Sequence, residues 1–175
     1  MPLQNEAQYT LLNTDITVTN QVEFATYVAN NNDQAIANAY NLDANPQYWV
    51  WRTKVLKTDI YQKASVDGTT WNWTEYINRS AAEKAAWQEM FDNPDLAFNP
   101  SLPSVQQGLQ DIFSGASSAG QRMHIRTFCR KLARRIERLL LNGSGTGTTT
   151  NPGTLVYEGT IDGRDVGHAL RGVPL

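Results

Sequence analysis

A basic, amphipathic pattern between residues 118 and 141 constrains the fold of this chain more than any other feature. Its apolar residues recur at steps of three and four, which is the period of a helix with one buried face. These residues are Ile125, Phe128, Cys129, Leu132, Ile136, Leu139 and Leu140. The pattern predicts one long helix, ended by Asn142 and Gly143.

Five arginines lie four residues apart on the polar side of this predicted helix. They are Arg122, Arg126, Arg130, Arg134 and Arg138. Four residues exceed one helical turn by about 40°, so the arginines would form a slowly winding stripe. Like charges at this spacing destabilise an isolated helix by roughly 0.2–0.5 kcal/mol for each pair. The stripe therefore favours contact with an acidic partner. The alternative is a solvated face, or salt bridges to the chain's own acids.

The charge of the chain is unevenly distributed. Residues 118–141 hold seven Arg or Lys and a single acid, Glu137, so this segment carries +6 and the rest of the chain carries −8 of the total −2. Because DNA-binding domains are typically basic overall, this balance favours protein–protein contact over DNA. A DNA-binding regulatory or packaging protein that places the arginines on phosphates is the second hypothesis.

Helix signals outnumber strand signals along the rest of the chain. Helices are predicted at 21–29, 34–41, 81–92, 105–113 and 162–170, residues 57–62 are predicted to start a short helix, and strands are predicted at 48–53 and 154–161. Thr19 or Asn20, Ser80 with Glu83, and Ser104 are the predicted N-terminal caps. The expected fold is mainly α: a small helical bundle with one long helix, a minor β-hairpin or isolated strands, and extended N- and C-terminal segments.

The predicted organisation has four parts. An extended arm covers residues 1–18, and a helical core covers 19–142. A flexible Gly/Thr loop, 143–153, leads to a C-terminal strand, short helix and tail, 154–175.

No residue pattern points to catalysis. His124 and His168 have no Cys, Asp or Glu at ligand spacing, so no metal site is predicted. Cys129 lies on the apolar face, where a packed core thiol is expected rather than a nucleophile. The loop 143–153 lacks the Gly-Lys-Ser/Thr of a phosphate-binding loop. We therefore expect neither an enzyme nor a bound cofactor.

Two tryptophans are candidate interface residues. Trp71 and Trp73 share one face if their segment is extended, and they lie among polar residues. Tryptophan is enriched among the residues that dominate protein interfaces. Core packing is the alternative for both.

Targeting and membrane signals are not predicted. Residues 1–6 show neither the basic nor the apolar region of a signal peptide, and no apolar run approaches the roughly 20 residues of a membrane span. The lone cysteine, Cys129, cannot form an intramolecular disulfide, which fits a reducing compartment.

The order of several segments carries a family resemblance. Tyr48-Trp49-Val50-Trp51-Arg52-Thr53 is followed by Trp87-Gln88-Glu89-Met90-Phe91, by Asn99-Pro100-Ser101 and by residues 105–115. The basic segment, the Gly/Thr loop and Tyr157-Glu158-Gly159-Thr160, leading to Asp165-Val166, come after these. Over residues 48–168 the chain resembles the head–tail connector or adaptor proteins of tailed bacteriophages.

This resemblance implies a structural virion protein of the neck, made in the host cytoplasm. Such adaptors are helical subunits that form a ring, usually twelvefold, docked on the portal and around the channel through which the genome passes. The implied partners are other copies of the chain, the portal and a tail or further neck protein, with passing contact to DNA. No catalytic residue is implied.

Overall fold

The structure is a computed structural model that describes residues 3–141 and 143–172. Its elements follow in this order: α1 (Glu6–Thr14), a π-helical turn (Asp15–Thr19), α2 (Gln21–Ala29), α3 (Asp33–Tyr40), β1 (Trp49–Trp51), β2 (Val55–Leu56), α4 (Lys57–Gln62), α5 (Trp73–Ile77), α6 (Ala81–Glu89), β3 (Ala97–Phe98), α7 (Pro103–Ile112), a 3₁₀ turn (Ala116–Ser118), α8 (Ala119–Cys129), β4 (Arg130–Leu132), α9 (Arg135–Leu139) and α10 (Gly163–Arg171). The predicted mainly α fold is confirmed.

The strands are short and form two small sheets. β1 pairs with β4, and β2 pairs with β3 in an antiparallel register that sets Val55 opposite Phe98. The strand predicted at 48–53 is therefore confirmed as β1. The strand predicted at 154–161 is wrong, because side chains bind the backbone there: Asn41 accepts from the amide of Ile161 and Glu137 from that of Gly159.

The predicted single core, 19–142, is divided between two compact units. The terminal unit comprises Met1–Val50 and Leu132–Leu175, and the central unit comprises Trp51–Lys131. The central unit is thus an insertion between the two chain segments that form the terminal unit. A division of this kind depends on contacts between distant segments, which hydrophobic periodicity does not report.

The core of the terminal unit includes residues of the predicted N-terminal arm. That arm, 1–18, is wrong as an extended segment, since helix begins at Glu6. Asn5 caps α1 by accepting from the amide of Gln8, and Leu12 and Ile16 are buried on one side of the helical segment. The main helices of this core bury Phe24, Ile36, Tyr40, Ile136 and Val166 with them.

Helix α10 is fixed at its start by a network of carboxylates. The Asp162 side chain caps the helix, and the Asp165 carboxylate accepts from the amide of Asp162. Asp165 is buried and also accepts from the amide of Leu3 at 3.1 Å and from the Tyr9 hydroxyl at 3.2 Å. Burial and the neighbouring Asp165 raise the pKa of Tyr9 to about 12. Gly172 ends the helix at a positive φ, and the remainder of the predicted tail lies outside the described residues.

The central unit is built around an aromatic core. Trp87 is fully buried and stacks on Trp71, with ring centroids 5.5 Å apart and planes 19° from parallel. Phe91 and Phe113 meet the Trp87 ring edge-on at 4.9 and 5.2 Å. Ring pairs in these geometries stabilise a core beyond their area of contact. The capping box of Ser80 and Glu83 at the start of α6 is confirmed.

Two predicted helix caps are wrong. Ser104 lies inside α7, which starts one residue earlier because Pro103 supplies a fixed backbone angle suited to the first helical position. Asn20 precedes α2 but its side chain makes no capping hydrogen bond. It donates instead to Asp15 at 2.9 Å.

The long basic helix is the largest correction. Helix α8 ends at Cys129, and β4 and the short α9 take the place of its predicted second half. The backbone is drawn into strand pairing: the amide of Arg52 donates to the Cys129 carbonyl, and the amide of Ala133 donates to Tyr48, both at 2.8 Å. This non-local pairing overrides a local helical period. The predicted end residue Asn142 lies outside the described residues.

Candidate functional site

The five arginines of the predicted stripe do not share one helix face. Arg122 and Arg126 lie on α8, whereas Arg130 starts β4. Arg134 and Arg138 belong to the terminal unit, where Arg134 immediately precedes α9 and Arg138 lies in its last turn. The four-residue spacing therefore produces no continuous stripe.

The two arginines of the terminal unit contact groups within that unit. Arg134 makes an ion pair with the fully buried Glu137 at 3.5 Å and donates to the carbonyl of Gly159 at 3.3 Å. Arg138 donates to the carbonyl of Pro46 at 2.8 Å and lies 5.7 Å from the centre of the Tyr48 ring. Both side chains thus hold their own unit together.

Arg135 is a structural residue that the four-residue spacing missed. It forms two parallel hydrogen bonds with Glu23, at 2.7 and 2.9 Å, which is the strong geometry for an arginine and a carboxylate. Its guanidinium lies over the rings of Phe24 and Tyr40, 5.0 and 4.7 Å from their centres. These hydrogen bonds hold the pKa of Glu23 below its ordinary value.

In the central unit, Arg122 and Arg130 also bind groups of their own unit. Arg122 donates to the carbonyls of Phe113 and Gly115, where the chain leaves α7. Gly115 has φ +86°, a backbone conformation that glycine adopts readily. Arg130 lies 3.6 Å from Asp67. Arg126 differs: it is exposed and makes no hydrogen bond or ion pair among the described residues.

Arg126 stands on the rim of a groove between α7 and α8. The floor consists of the buried side chains Leu109, Ile125 and Cys129, with Trp51 as a further apolar wall. The polar lining residues are Gln106, Gln110, Arg122 and Arg126. The groove is shallow: the space it encloses is about 20 Å³, enough for roughly one water molecule. It combines an apolar floor with two cations, so it suits an apolar side chain that has acidic neighbours.

The Cys129 thiol at the floor of this groove is a core group, as predicted. Burial raises its pKa to about 12, against the opposing effect of Arg52, Arg126 and Arg130. Because the thiolate is the reactive form, the thiol of the native protein is inert near neutral pH.

Cys129 is therefore expected to resist modification. In the native protein at about pH 8, a chromogenic disulfide reagent should react with it at least about tenfold more slowly than with the same protein in guanidinium. Stopped-flow absorbance measures both rates. Equal rates would contradict the burial of the thiol.

The two candidate tryptophans differ in exposure. Trp71 is 6% exposed and contacts Tyr61, Trp87 and Phe113, so the core alternative holds for it and its predicted interface role is wrong. Trp73 is 53% exposed and touches Trp71 with one edge. One turn along α5, Ile77 is 65% exposed. Residues four apart lie on one helix face, so Trp73 and Ile77 form a small apolar patch.

The environment of His124 is that of a buried core residue with hydrogen-bond partners. The residue is fully buried, with Nε2 2.8 Å from the carbonyl of Ile60 and Nδ1 3.2 Å from the Thr69 hydroxyl. His168 lies 3.2 Å from Glu6 and contacts the Tyr9 ring. Among the described residues, no group of three or more His, Cys, Asp or Glu is placed to hold a metal ion.

The Gly/Thr loop, 143–153, is bound to β1 rather than being a free linker. The amide of Trp49 donates to the Gly147 carbonyl at 2.7 Å, and the amide of Gly153 donates to Trp49 at 2.8 Å. Gly147 and Gly153 lie against the Tyr48 ring so closely that a Cβ at either position would come within 2.7 Å of it. The glycines therefore allow the loop to pack on an aromatic side chain.

Comparison of the chain with protein-family models, with curated proteins and with solved structures finds no match. Within the part of the chain that the structure describes, no helix has the length and apolarity required to cross a membrane.

Proposed function

We propose that this chain is a structural subunit of the neck of a tailed bacteriophage, where it links the portal to the tail by forming a ring with other copies of itself. The order of segments over residues 48–168 supports this class of protein. The proposed role needs surfaces for assembly and no reaction centre.

The observation that carries the proposal is the groove between α7 and α8. Its buried apolar floor and its cationic rim, Arg122 and Arg126, are suited to a protein segment of opposite character. Arg126 is the arginine of the predicted stripe that has no internal partner among the described residues. The interface role of the arginines is therefore proposed mainly for Arg126, with Arg122 beside it.

The Trp73–Ile77 patch supplies a second contact surface. Both side chains are more than half exposed although α5 belongs to the aromatic unit. A large rigid side chain such as tryptophan contributes contact area at a small cost in conformational entropy. We propose that this patch meets the portal or the next protein of the neck.

DNA binding through the arginines is the alternative function. It would depend on Arg126, since the four other stripe arginines bind groups within their own units. A single phosphate contact gives weak affinity with a shallow salt dependence. Gel-shift assays at low and moderate salt test this alternative, and tight, steeply salt-dependent binding would favour it over assembly.

The neck proposal predicts that the chain is present in finished particles. Mass spectrometry of purified virions of the phage that encodes it should detect the protein in several copies, and in isolated necks if these are prepared. Absence of the protein from mature particles would reject the proposal.

Removing the patch should impair assembly without affecting the fold. In a phage that lacks the gene, the double variant Trp73→Ala, Ile77→Ala supplied from a plasmid should lower the yield of infectious particles at least about tenfold relative to the wild type. Val66→Ala is the matched control, because Val66 is 84% exposed in the same unit. Equal yields from the double variant and the wild type would show that the patch has no role in assembly.

A further inference from the structure

Leu96 adopts a backbone conformation that leucine avoids. Its φ is +47°, and the other non-glycine residue with positive φ in the described chain is Asn31, a residue type that tolerates this region. For a bulky side chain the same conformation is strained. Glycine or asparagine would relieve the strain at this position, so the backbone conformation does not account for the presence of a leucine.

The strained turn is held firmly. The amide of Leu96 donates to the carbonyl of Asn93 at 3.0 Å, and the Leu96 carbonyl accepts from the amide of Lys57 at 2.9 Å. The Asn93 side chain binds both the carbonyl and the amide of Ala97, at 2.6 and 3.2 Å. This framework leaves the Leu96 side chain 53% exposed. An exposed side chain adds little to the fold, so the leucine is available for contact with another molecule.

Acidic side chains flank this leucine. Asp92 and Asp95 are both exposed, and Asp92 makes no ion pair among the described residues. Asp95 pairs with Lys54 at 2.7 Å, but both partners are more than half exposed, and such surface pairs are weak. We name the segment Asp92–Leu96 the acidic knob. Its apolar side chain and its carboxylates are complementary to the apolar surface and the arginines of the groove between α7 and α8.

We propose that the acidic knob of one copy of this chain occupies the α7–α8 groove of a second copy. Leu96 covers the mouth of the groove, where Trp51 and the edge of Leu109 present apolar surface. Asp92 and Asp95 face the rim arginines, Arg126 first. This deepens the proposed function and rests on it, since it names the self-contact through which the subunits would assemble.

A second copy is the occupant that the charges favour. Knob and groove share no residue, and both lie in the central unit of every chain. One side is apolar with carboxylates, and the other is apolar with arginines. A contact between two different surfaces of the same protein runs head to tail, and it produces a closed ring when the rotation between subunits permits closure.

Sedimentation of the full-length protein over a wide concentration range tests the contact. The wild type should self-associate. Leu96→Asp and Arg126→Glu should each weaken association at least tenfold. Val66→Asp and Lys63→Glu are matched controls, because each changes an exposed side chain of the same unit in the same way. A wild type that stays monomeric at every concentration would overturn the proposal.

Charge reversal tests the pairing itself. Asp92→Arg alone should weaken association at least tenfold, and its combination with Arg126→Glu should restore at least half of the lost association. Mixing Leu96→Asp with Arg126→Glu should give mixed dimers, since the first variant keeps a normal groove and the second keeps a normal knob. Absence of both the rescue and the mixed dimers would overturn the assignment of these surfaces.

Leu96→Gly separates a contact role from a structural one. Glycine accepts the positive φ, so the melting temperature should stay within about 2 °C of the wild type or rise, while self-association falls at least tenfold. A fall of more than about 4 °C would show that Leu96 stabilises its own subunit and would overturn the proposal.

Monomeric protein that is present in virions would reject this contact alone. Self-association of a protein that is missing from virions would reject the neck function alone.

Discussion

Replacing Trp87 with alanine is expected to lower the free energy of unfolding by about 3–5 kcal/mol. Trp87 is fully buried, and its ring contacts Trp71, Phe91 and Phe113. Its Nε1 donates to the Tyr61 hydroxyl at 2.7 Å. Removal leaves a large cavity and a partly buried hydroxyl that has lost its donor. Urea unfolding followed by far-ultraviolet circular dichroism measures the loss.

Trp73→Ala is the matched control for this experiment. Trp73 belongs to the same aromatic cluster but is 53% exposed, so its removal should cost less than about 1 kcal/mol. The loss in free energy of unfolding for Trp87→Phe should lie between those of Trp87→Ala and Trp73→Ala, because phenylalanine keeps a ring in the core but loses the hydrogen bond to Tyr61. Similar losses for Trp87→Ala and Trp73→Ala would show that the cluster is not the core of the central unit.

Local signals in the sequence located most of the helices. The bounds predicted for α2 match the structure, the short helix predicted to start at Lys57 is confirmed as α4, and the bounds predicted for α10 differ by one residue at each end. Capping by Ser80 with Glu83 is likewise a local property, since two side chains three positions apart decide it. Such elements could be predicted because their hydrogen bonds and periodicity lie within a few neighbouring residues.

The basic segment could not be predicted from its own pattern. Its apolar spacing fits a helix, but residues 130–132 pair with a strand about 80 positions earlier in the chain. No local propensity carries that information. The same limit applies to Leu96, whose positive φ is set by Asn93 and Lys57 rather than by its own preference.

Part of the positive charge of the basic segment is neutralised by acidic residues of the same chain. Two arginines of the basic segment bind carboxylates from outside it, Arg130 with Asp67 and Arg135 with Glu23, whereas Arg134 pairs with Glu137 inside the segment. Salt bridges to the chain's own acids, the alternative considered for the stripe, therefore account for part of the segment's charge. Fewer arginines are free to contact a partner than the five-arginine stripe predicted, and the main one is Arg126.

The second large effect is expected at Glu137, the single acid of the basic segment. Glu137 is fully buried, and it accepts from the amide of Arg134 at 2.9 Å and from the amide of Gly159 at 3.1 Å. Glu137→Ala leaves both amides without this acceptor and removes the carboxylate that faces the Arg134 guanidinium. Each lost buried hydrogen bond costs roughly 1–3 kcal/mol, so we expect a total loss of about 3 kcal/mol in urea unfolding.

Glu83 provides the matched control, because it makes the same type of hydrogen bond to a helix start. It accepts from the amide of Ser80 at 2.8 Å, as Glu137 accepts from that of Arg134, but on an exposed surface. Water replaces the lost acceptor there, so Glu83→Ala should destabilise the protein clearly less than Glu137→Ala. Glu137→Gln keeps one oxygen acceptor and should lie between them. If Glu137→Ala costs no more than Glu83→Ala, the buried carboxylate does not hold Gly159 and α9 together, and the terminal unit depends on its apolar core instead.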